Sequence, residues 1–349
     1  MTRLVVTACG MVTALGFNAS ASLAALRAGV SGVRGLPWPD PESGEPLRGA
    51  KIDLPQWSEE ARTLADMAAA AIDECMRGIN FSARAAVPIF IGVAAPRRPG
   101  RHPELERQLL DDISARLGLA LHPTSALFAG DQTGCVDAIV DAGRWLATRD
   151  AEHVVVAGVD SYLRAHTLDA YAERMRLMTP SNSNGFFPGE AAAAVLLTKE
   201  ERVRGDSLLI AGIGRTSESA VIESTQPLQA TGLTDAVRRA LDDAGVAMDR
   251  IAYRLTDLSG EHYKFKEAAF AALRLDRAQR ESELEMWHPI EYLGEIGAAV
   301  VPCLLAWALH AARHGYAPGP WSLCHVGSDD GERAAMVLQS RTTQDPDER

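Results

Sequence analysis

Cysteine is scarce in this chain and unpatterned. Cys9, Cys75, Cys135, Cys303 and Cys324 are spread over 349 positions with no Cys-x-x-Cys spacing. That excludes a disulfide-stapled framework and a thiolate zinc cluster, and it is the usage of a chain kept reduced, which points to the cytoplasm. Long apolar runs are missing too. The longest stretch, 296–309, contains Pro302 and falls short of the ~18 residues that cross a bilayer. Met1-Thr2-Arg3-Leu4-Val5-Val6 enters a strand-like run with no signal peptide ahead of it, so no membrane association is expected. Excess positive charge is also lacking. A formal net charge of -11 argues against nucleic acid or anionic lipid as a general partner. What remains, 47% hydrophobic and 23% charged residues, is globular and long enough for two core-bearing units.

Hydrophobic patterning alternates strands with helices. Residues 4–12, 87–93, 153–159 and 191–198 read as strands, with helices at 20–27, 59–77, 102–117 and about 133–147. Residues 35–56, rich in Pro, Gly and charge, read as an exposed loop. Pro96 to Arg101 reads as a basic turn carrying Arg97, Arg98 and Arg101, suited to an acidic partner protein or simply solvated. The remainder repeats this grammar. Strands are expected at 208–213, 252–258 and 284–287, with a hairpin of 323–326 and 333–339 around Ser328-Asp329-Asp330-Gly331. Helices are expected from an N-capping Thr234 to Ala244 before Gly245, at 264–273, and over a long buried 296–313. The pattern is that of an α/β protein built of layers. Two similar halves, 1–203 and 204–349, meet in the charged stretch 199–205.

The most informative segment is Asn184-Gly185-Phe186-Phe187-Pro188-Gly189-Glu190-Ala191-Ala192-Ala193-Ala194. A glycine turn feeds a strand of small residues, which permits close backbone approach. Gly189 reads as a spacer-free contact and Glu190 as a carboxylate satisfying backbone donors. The segment resembles the Gly-Phe-x-x-Gly-Glu-Gly-Ala signature of the β-ketoacyl synthases, the condensing enzymes of the thiolase superfamily. Val5-Val6-Thr7-Ala8-Cys9-Gly10-Met11-Val12-Thr13-Ala14-Leu15-Gly16, Leu26-Arg27-Ala28-Gly29-Val30-Ser31-Gly32-Val33, Val154-Val155-Val156-Ala157-Gly158-Val159 and Gly297-Ala298-Ala299 resemble further runs of that family in the same order. The resemblance implies a thiolase-like five-layered αβαβα duplication that dimerises, with itself or with a ketosynthase. It also implies an acyl carrier protein or acyl-CoA thioester as partner, and no cofactor. The second half is shorter than is usual in the family.

The family's chemistry needs a Cys at a helix N-terminus and two His that stabilise an oxyanion while malonyl-carrier decarboxylates. Here Gln132 stands in the nucleophile slot if Val136, Ile139, Ala142 and Arg144 keep the family's helix pattern. Taking Cys135 or Asp131 as the slot are the alternative registers, and Cys135 also reads as a small buried helix residue. Asp257 matches the first His, with Glu267 in the family's downstream Glu position and His262 a few residues late. Glu295 or Gly294 matches the second His. The family's site Lys has no match, since Pro289 falls near its place. Gln in the slot is found in chain-length factors and decarboxylating loading synthases. An amide cannot form a thioester. Phe186, Phe187, His288 and His325 are expected to line the substrate side, and Asp329 to lie near the same cleft. Such carboxylates and imidazoles suit acid–base work, or a dead site drifted toward polar residues. With no converging His/Asp cluster seen, no metal is expected. Three functions follow: an acyltransferase with an altered site, a non-catalytic partner of an active synthase, or a thioester hydrolase using Asp257, Glu295 and a water.

Overall fold

The computed structural model describes residues 3–149, 151–203, 205–276 and 284–342. Met1, Thr2 and Arg204 of the expected junction lie outside the described residues. The chain runs β1 (Leu4–Thr13), α1 (Ala19–Arg27), β2 (Arg34–Pro39), β3 (Pro46–Gly49), α2 (Ala61–Cys75), α3 (Phe81–Arg84), β4 (Ile89–Val93) and α4 (Leu105–Leu117). Then follow β5 (Ala126–Ala129), α5 (Asp131–Thr148), β6 (Val154–Ser161), α6 (Ala165–Glu173) and β7 (Glu190–Lys199). Beyond these come β8 (Ser207–Ser217), α7 (Thr231–Ala244), β9 (Tyr253–Thr256), α8 (His262–Leu275), β10 (Glu285–Trp287), α9 (Ile290–Leu293), α10 (Val300–Arg313), β11 (Trp321–Gly327) and β12 (Glu332–Arg341).

The large sheet has the order β10-β9-β11-β12-β8-β1-β7-β6-β4-β5. From either outer edge inward its strands follow the same sequence: third, second, fourth, fifth, first of their half. In both halves the first three are parallel and the last two antiparallel. The halves join where Leu4, Val5 and Val6 pair with Ile210, Leu209 and Leu208. Helices α5 and α10 fill the centre, α2 and α4 cover one outer face, and α7 and α8 cover the other. This is the expected αβαβα architecture.

Composition explains the layers. Helix α10 is apolar around its whole circumference and is buried throughout nearly all its length, as a helix without a polar face must be. Pro302 sits in its first turn, where no intrahelical N–H is needed. The run Ala191–Ala194 of β7 is fully buried and lets neighbouring helices approach. At β8, a Cβ on Gly214 would stand 1.9 Å from the Ala236 carbonyl oxygen, so α7 rests directly on the strand backbone.

Several expectations change. The stretch 35–56 is not a plain loop: Arg34 and Gly35 pair with Gly49 and Arg48, and Pro39 with Pro46. Proline hides this ribbon: Pro39 and Pro46 sit at strand ends, and Pro37 falls in the irregular stretch between Gly35 and Pro39 where no partner is paired. Helix α6 was not read from the sequence. Thr234 does not cap α7; Ala230 does, at φ 52°, and the Thr234 hydroxyl donates to the Ala230 carbonyl at 2.6 Å from inside the first turn. Gly245, at φ 66°, closes that helix as expected. Among the described residues no helix is long and apolar enough to cross a membrane. Replacing Gly214 by Ala should force α7 off β8 and lower unfolding stability by about 1–3 kcal/mol, read as a drop in the urea midpoint. An unchanged midpoint would show the contact to be slack.

Candidate functional site

The strand-to-helix turn from β5 into α5 is tight. Gly130 N donates to Phe128 O at 3.1 Å, and a Cβ on Gly134 would meet that same oxygen at 2.6 Å. The turn places Asp131 at φ 46°, a left-handed conformation that costs a non-glycine residue energy. Its carboxylate accepts from Ala95 N at 2.8 Å and lies 3.7 Å from Arg98 Nε. Arg98 is buried, pairs with Asp160 and stacks 4.2 Å from the Tyr162 ring centroid. The other Asp160 oxygen accepts from Ala298 N at 3.0 Å, which pins the Gly297–Ala299 turn beside α5. A Cβ on Gly297 would stand 2.0 Å from that Asp160 oxygen. Arg98 is therefore an internal strut rather than a surface contact for a partner, and Arg101 is held by Ala94 O and Glu106. Burial pushes the Asp131 carboxyl up to about 7 and Asp160 adds to it, against the pull of Arg98.

Gln132, one residue on, points elsewhere. Its Nε2 donates to Glu295 Oε1 at 3.2 Å, and the same oxygen accepts from Gly297 N at 2.9 Å. Glu295 Oε2 lies 3.5 Å from Lys264 Nζ, which also donates to Asp257 Oδ2 at 3.1 Å. Asp257 Oδ2 in turn accepts from Gly327 N at 3.2 Å. Gln132, Glu295 and Asp257 thus meet, and Lys264 is the piece that joins the two carboxylates. Burial lifts the Glu295 carboxyl, and Lys264 offsets part of the rise. Burial disfavours the Lys264 ammonium, but Asp257 and Glu295 outweigh it and hold the proton on well above the ordinary lysine range. The Gln132 Oε1 atom is buried without a protein partner.

Lys264 escaped the sequence reading because a lysine in a helix is ordinarily solvated. A signal was available. Lys264, Glu267, Ala268 and Ala271 recur at the spacing of one helix face, and that face is the buried one. Glu267 is occupied by Arg333 at 2.7 Å.

The signature loop supports the network from below. Gly189 N donates to Glu295 O at 3.0 Å and Glu295 N to Phe187 O at 2.7 Å, while a Cβ on Gly189 would stand 2.1 Å from Leu293 O. Glu190 is fully buried and accepts from Ile52 N, Trp57 Nε1 and Ser161 Oγ, each at 2.9 Å. Phe186 lies in an aromatic cluster with Tyr162 and Tyr171, whereas Phe187 is half-buried beneath Arg48. Asp329 is held by Arg176 at 2.6 Å, which also grips Glu261 at 2.7 Å.

His325 lies beside Asp257 and Lys264, its Nδ1 3.5 Å from Thr256 Oγ1, and burial brings it down to about 4, so the ring is neutral. His288 faces Glu291 and the Phe265 ring instead. His262 is exposed at the start of α8, where its backbone N–H donates to Asn184 Oδ1 at 2.8 Å. Cys135 is 0% exposed, with its thiol donating to Ala157 O at 3.3 Å and Ala298 O at 3.2 Å. Burial pushes that thiol up to about 12, far from a thiolate. The cavity bounded by Asp257, Lys264, His325 and Gly327 measures about 20 Å³, room for a single water. A wider one of about 170 Å³, between α5, β1 and β8, includes none of these residues.

No family model matches the chain, and no curated protein matches it by sequence. Solved structures do. A β-ketoacyl synthase from Burkholderia phymatum STM815 superposes with a TM-score of 0.74 at 16% identity, covering 98% of this chain and 100% of that one. The fold is that of the ketosynthases. The ketosynthase ApeO in complex with its chain length factor ApeC, from Xenorhabdus doucetiae, gives 0.75 at 14% identity over 97% of this chain and 98% of that one. AntDE:AntF, a type II PKS acyl-carrier protein in complex with its ketosynthase bound to the hexaketide, gives 0.78 at 14% identity over 97% and 100%. At such identities the ketosynthase fold is what is shared, and chemistry must be argued from the residues.

Replacing Lys264 by Met leaves Asp257 and Glu295 buried without their cation and should cost about 3–5 kcal/mol in urea unfolding. Adding Glu295→Gln should recover part of that loss; no recovery would mean the pair is not coupled through Lys264. A second expectation concerns pH. Asp131 holds its proton in the fold up to about 7 against 3.8 as the ordinary value. Its contribution is therefore full below the unfolded pKa and is lost as pH rises through that window. Stability of the native chain minus that of Asp131→Asn should fall between about pH 4 and pH 7. A flat difference would show that Arg98 keeps Asp131 ionised throughout.

Proposed function

We propose that this chain is a non-condensing ketosynthase-fold protein, a partner of the chain-length-factor kind that works beside an active ketosynthase in acyl assembly of fatty-acid or polyketide type. One observation carries the reading. The residues matched by resemblance to the nucleophile and the two imidazoles, Gln132, Asp257 and Glu295, are bonded into one network through Lys264. None of them can carry an acyl thioester. The alternative registers fare no better: Asp131 is engaged with Ala95 N and Arg98, and the Cys135 thiol is closed in by two carbonyls. Strain at Asp131 and the contact of Gln132 with Glu295 favour different registers for the slot, but the conclusion is the same in both.

The neighbours that pair a ketosynthase with a chain length factor or with an acyl-carrier protein support such partners here, in a homodimer or a heterodimer. The equal strand order of 1–203 and 204–349 supports treating these as two halves of one duplicated unit. A second reading, hydrolysis of an acyl thioester by a water beside Asp257 and Glu295, is favoured by the one-water cavity and opposed by the Lys264 cation that ties up both carboxylates.

Intact-protein mass spectrometry after incubation with acyl- and malonyl-loaded carrier protein should show no adduct, and co-expression with a Cys-bearing ketosynthase should yield a complex. An adduct that disappears in Cys135→Ala would overturn the proposal in favour of a condensing enzyme. Release of carbon dioxide from the malonyl carrier would make the chain a decarboxylase of the Gln type. Thioester turnover lost in both Asp257→Asn and Glu295→Gln would establish the hydrolase.

A further inference from the structure

The outer helices differ in what they turn to solvent. Exposed positions of α4 include Glu106, Arg107 and Asp111, and those of α7 include Arg238, Arg239, Asp242 and Asp243, as an outer layer requires. Helix α8 departs from this. Phe265 is 40% exposed, Phe270 39% and Leu273 77%. With Ala269 they stand at i, i+4, i+5 and i+8, one stripe along the helix. The other exposed large apolar side chains among the described residues, Phe17, Val30, Phe81 and Met175, are scattered over other segments. A contiguous exposed stripe of this kind marks a surface that a partner covers.

The charge around the stripe says what kind of partner. Lys266 and Arg274 flank it, both exposed, in a chain whose net charge is -11. The one acid of α8, Glu267, is buried against Arg333. Arg274 is anchored by Gln229 O and by Thr234 Oγ1, the latter at 3.3 Å, and Lys266 has no ion-pair partner among the described residues. At the N-terminal end the Phe265 ring meets His288 edge-on at 6.4 Å, and Glu291 lies 3.8 Å from that imidazole. The basic turn 96–101 is a poorer surface for an acidic partner, because Arg98 is buried against Asp160 and Arg101 is held by Ala94 O and Glu106, which leaves Arg97.

We propose that the outward face of α8 is the docking surface for an acidic amphipathic helix. The apolar side of that helix covers Phe265, Phe270 and Leu273, and its carboxylates meet Lys266 and Arg274. The partner is the acyl carrier protein of the reading above, on which this inference rests. The same helix turns Lys264 inward to Asp257 and Glu295, so a partner seated on α8 braces the element that carries the site's cation.

Fluorescence anisotropy of a dye-labelled apo acyl carrier protein, titrated with the full chain, tests the surface, since the apo form carries no thioester to react. Binding is expected, and it should weaken as salt is raised. Leu273→Glu should weaken it at least about tenfold and Lys266→Glu about fivefold. Urea midpoints of both variants should stay unchanged, because both side chains are exposed. Arg97→Glu should leave the affinity as it is. Undiminished affinity in Leu273→Glu and Lys266→Glu overturns the α8 surface, and so does a carrier protein that fails to bind. A dimer of this chain that Leu273→Glu dissociates would assign the stripe to a second copy and overturn it as well. Complex formation with a Cys-bearing ketosynthase on co-expression is a separate readout, so the partner reading stands or falls independently of α8.

Discussion

A single buried ammonium sets the character of the candidate site. Lys264 reaches from α8 to Asp257 at the end of β9 and to Glu295 before the Gly297–Ala299 turn, and through Glu295 it governs the start of α5. Removing an ammonium and two carboxylates from water costs several kcal/mol for each ion, so the trio persists only as a unit. The same device recurs around it. Arg98 joins Asp131 and Asp160, Arg176 joins Glu261 and Asp329, and Arg333 holds Glu267. The loops around this trio are fastened by ion pairs, with room beside Lys264 for one water.

The segments that carry the resemblance persist for a reason separate from chemistry. Gly189, Gly297 and Gly158 each stand where a Cβ would strike a carbonyl or carboxylate oxygen within about 2 Å. The contacts at Gly189 and Gly158 are with backbone carbonyls and that at Gly297 with the pinned Asp160 carboxylate, and a larger residue would push apart the signature loop, β6 and the turn leading into α10. A fold can keep these glycines while its catalytic side chains are replaced, because the glycines answer to packing and the side chains to reactivity. That is consistent with a ketosynthase architecture at 13–17% identity to its structural neighbours.

Legibility followed the same division. The strands, the all-apolar α10 and the hairpin around Ser328 to Gly331 were readable because periodicity and glycine report local geometry directly. The β2–β3 ribbon was lost behind its prolines. Gln132, Asp257 and Glu295, which the structure joins through Lys264, stood out by their place among the motifs rather than by any chemistry of their own. Arg98 and Lys264 were missed, since nothing local separates a buried basic side chain from a solvated one; Lys264 alone betrayed itself by standing on the inward face of α8.

By itself the sequence determined the α/β class, most of the alternation of strands and helices, and the scattered spacing of the cysteines. These depend on residue type and spacing along the chain. Only the tertiary structure decided that Lys264 closes the gap between Asp257 and Glu295, that Arg98 turns inward to Asp160, and that Cys135 is sealed between carbonyls. Those outcomes depend on which elements pack together and on the cost of burying a charge unless an opposite one, distant in sequence, arrives to meet it.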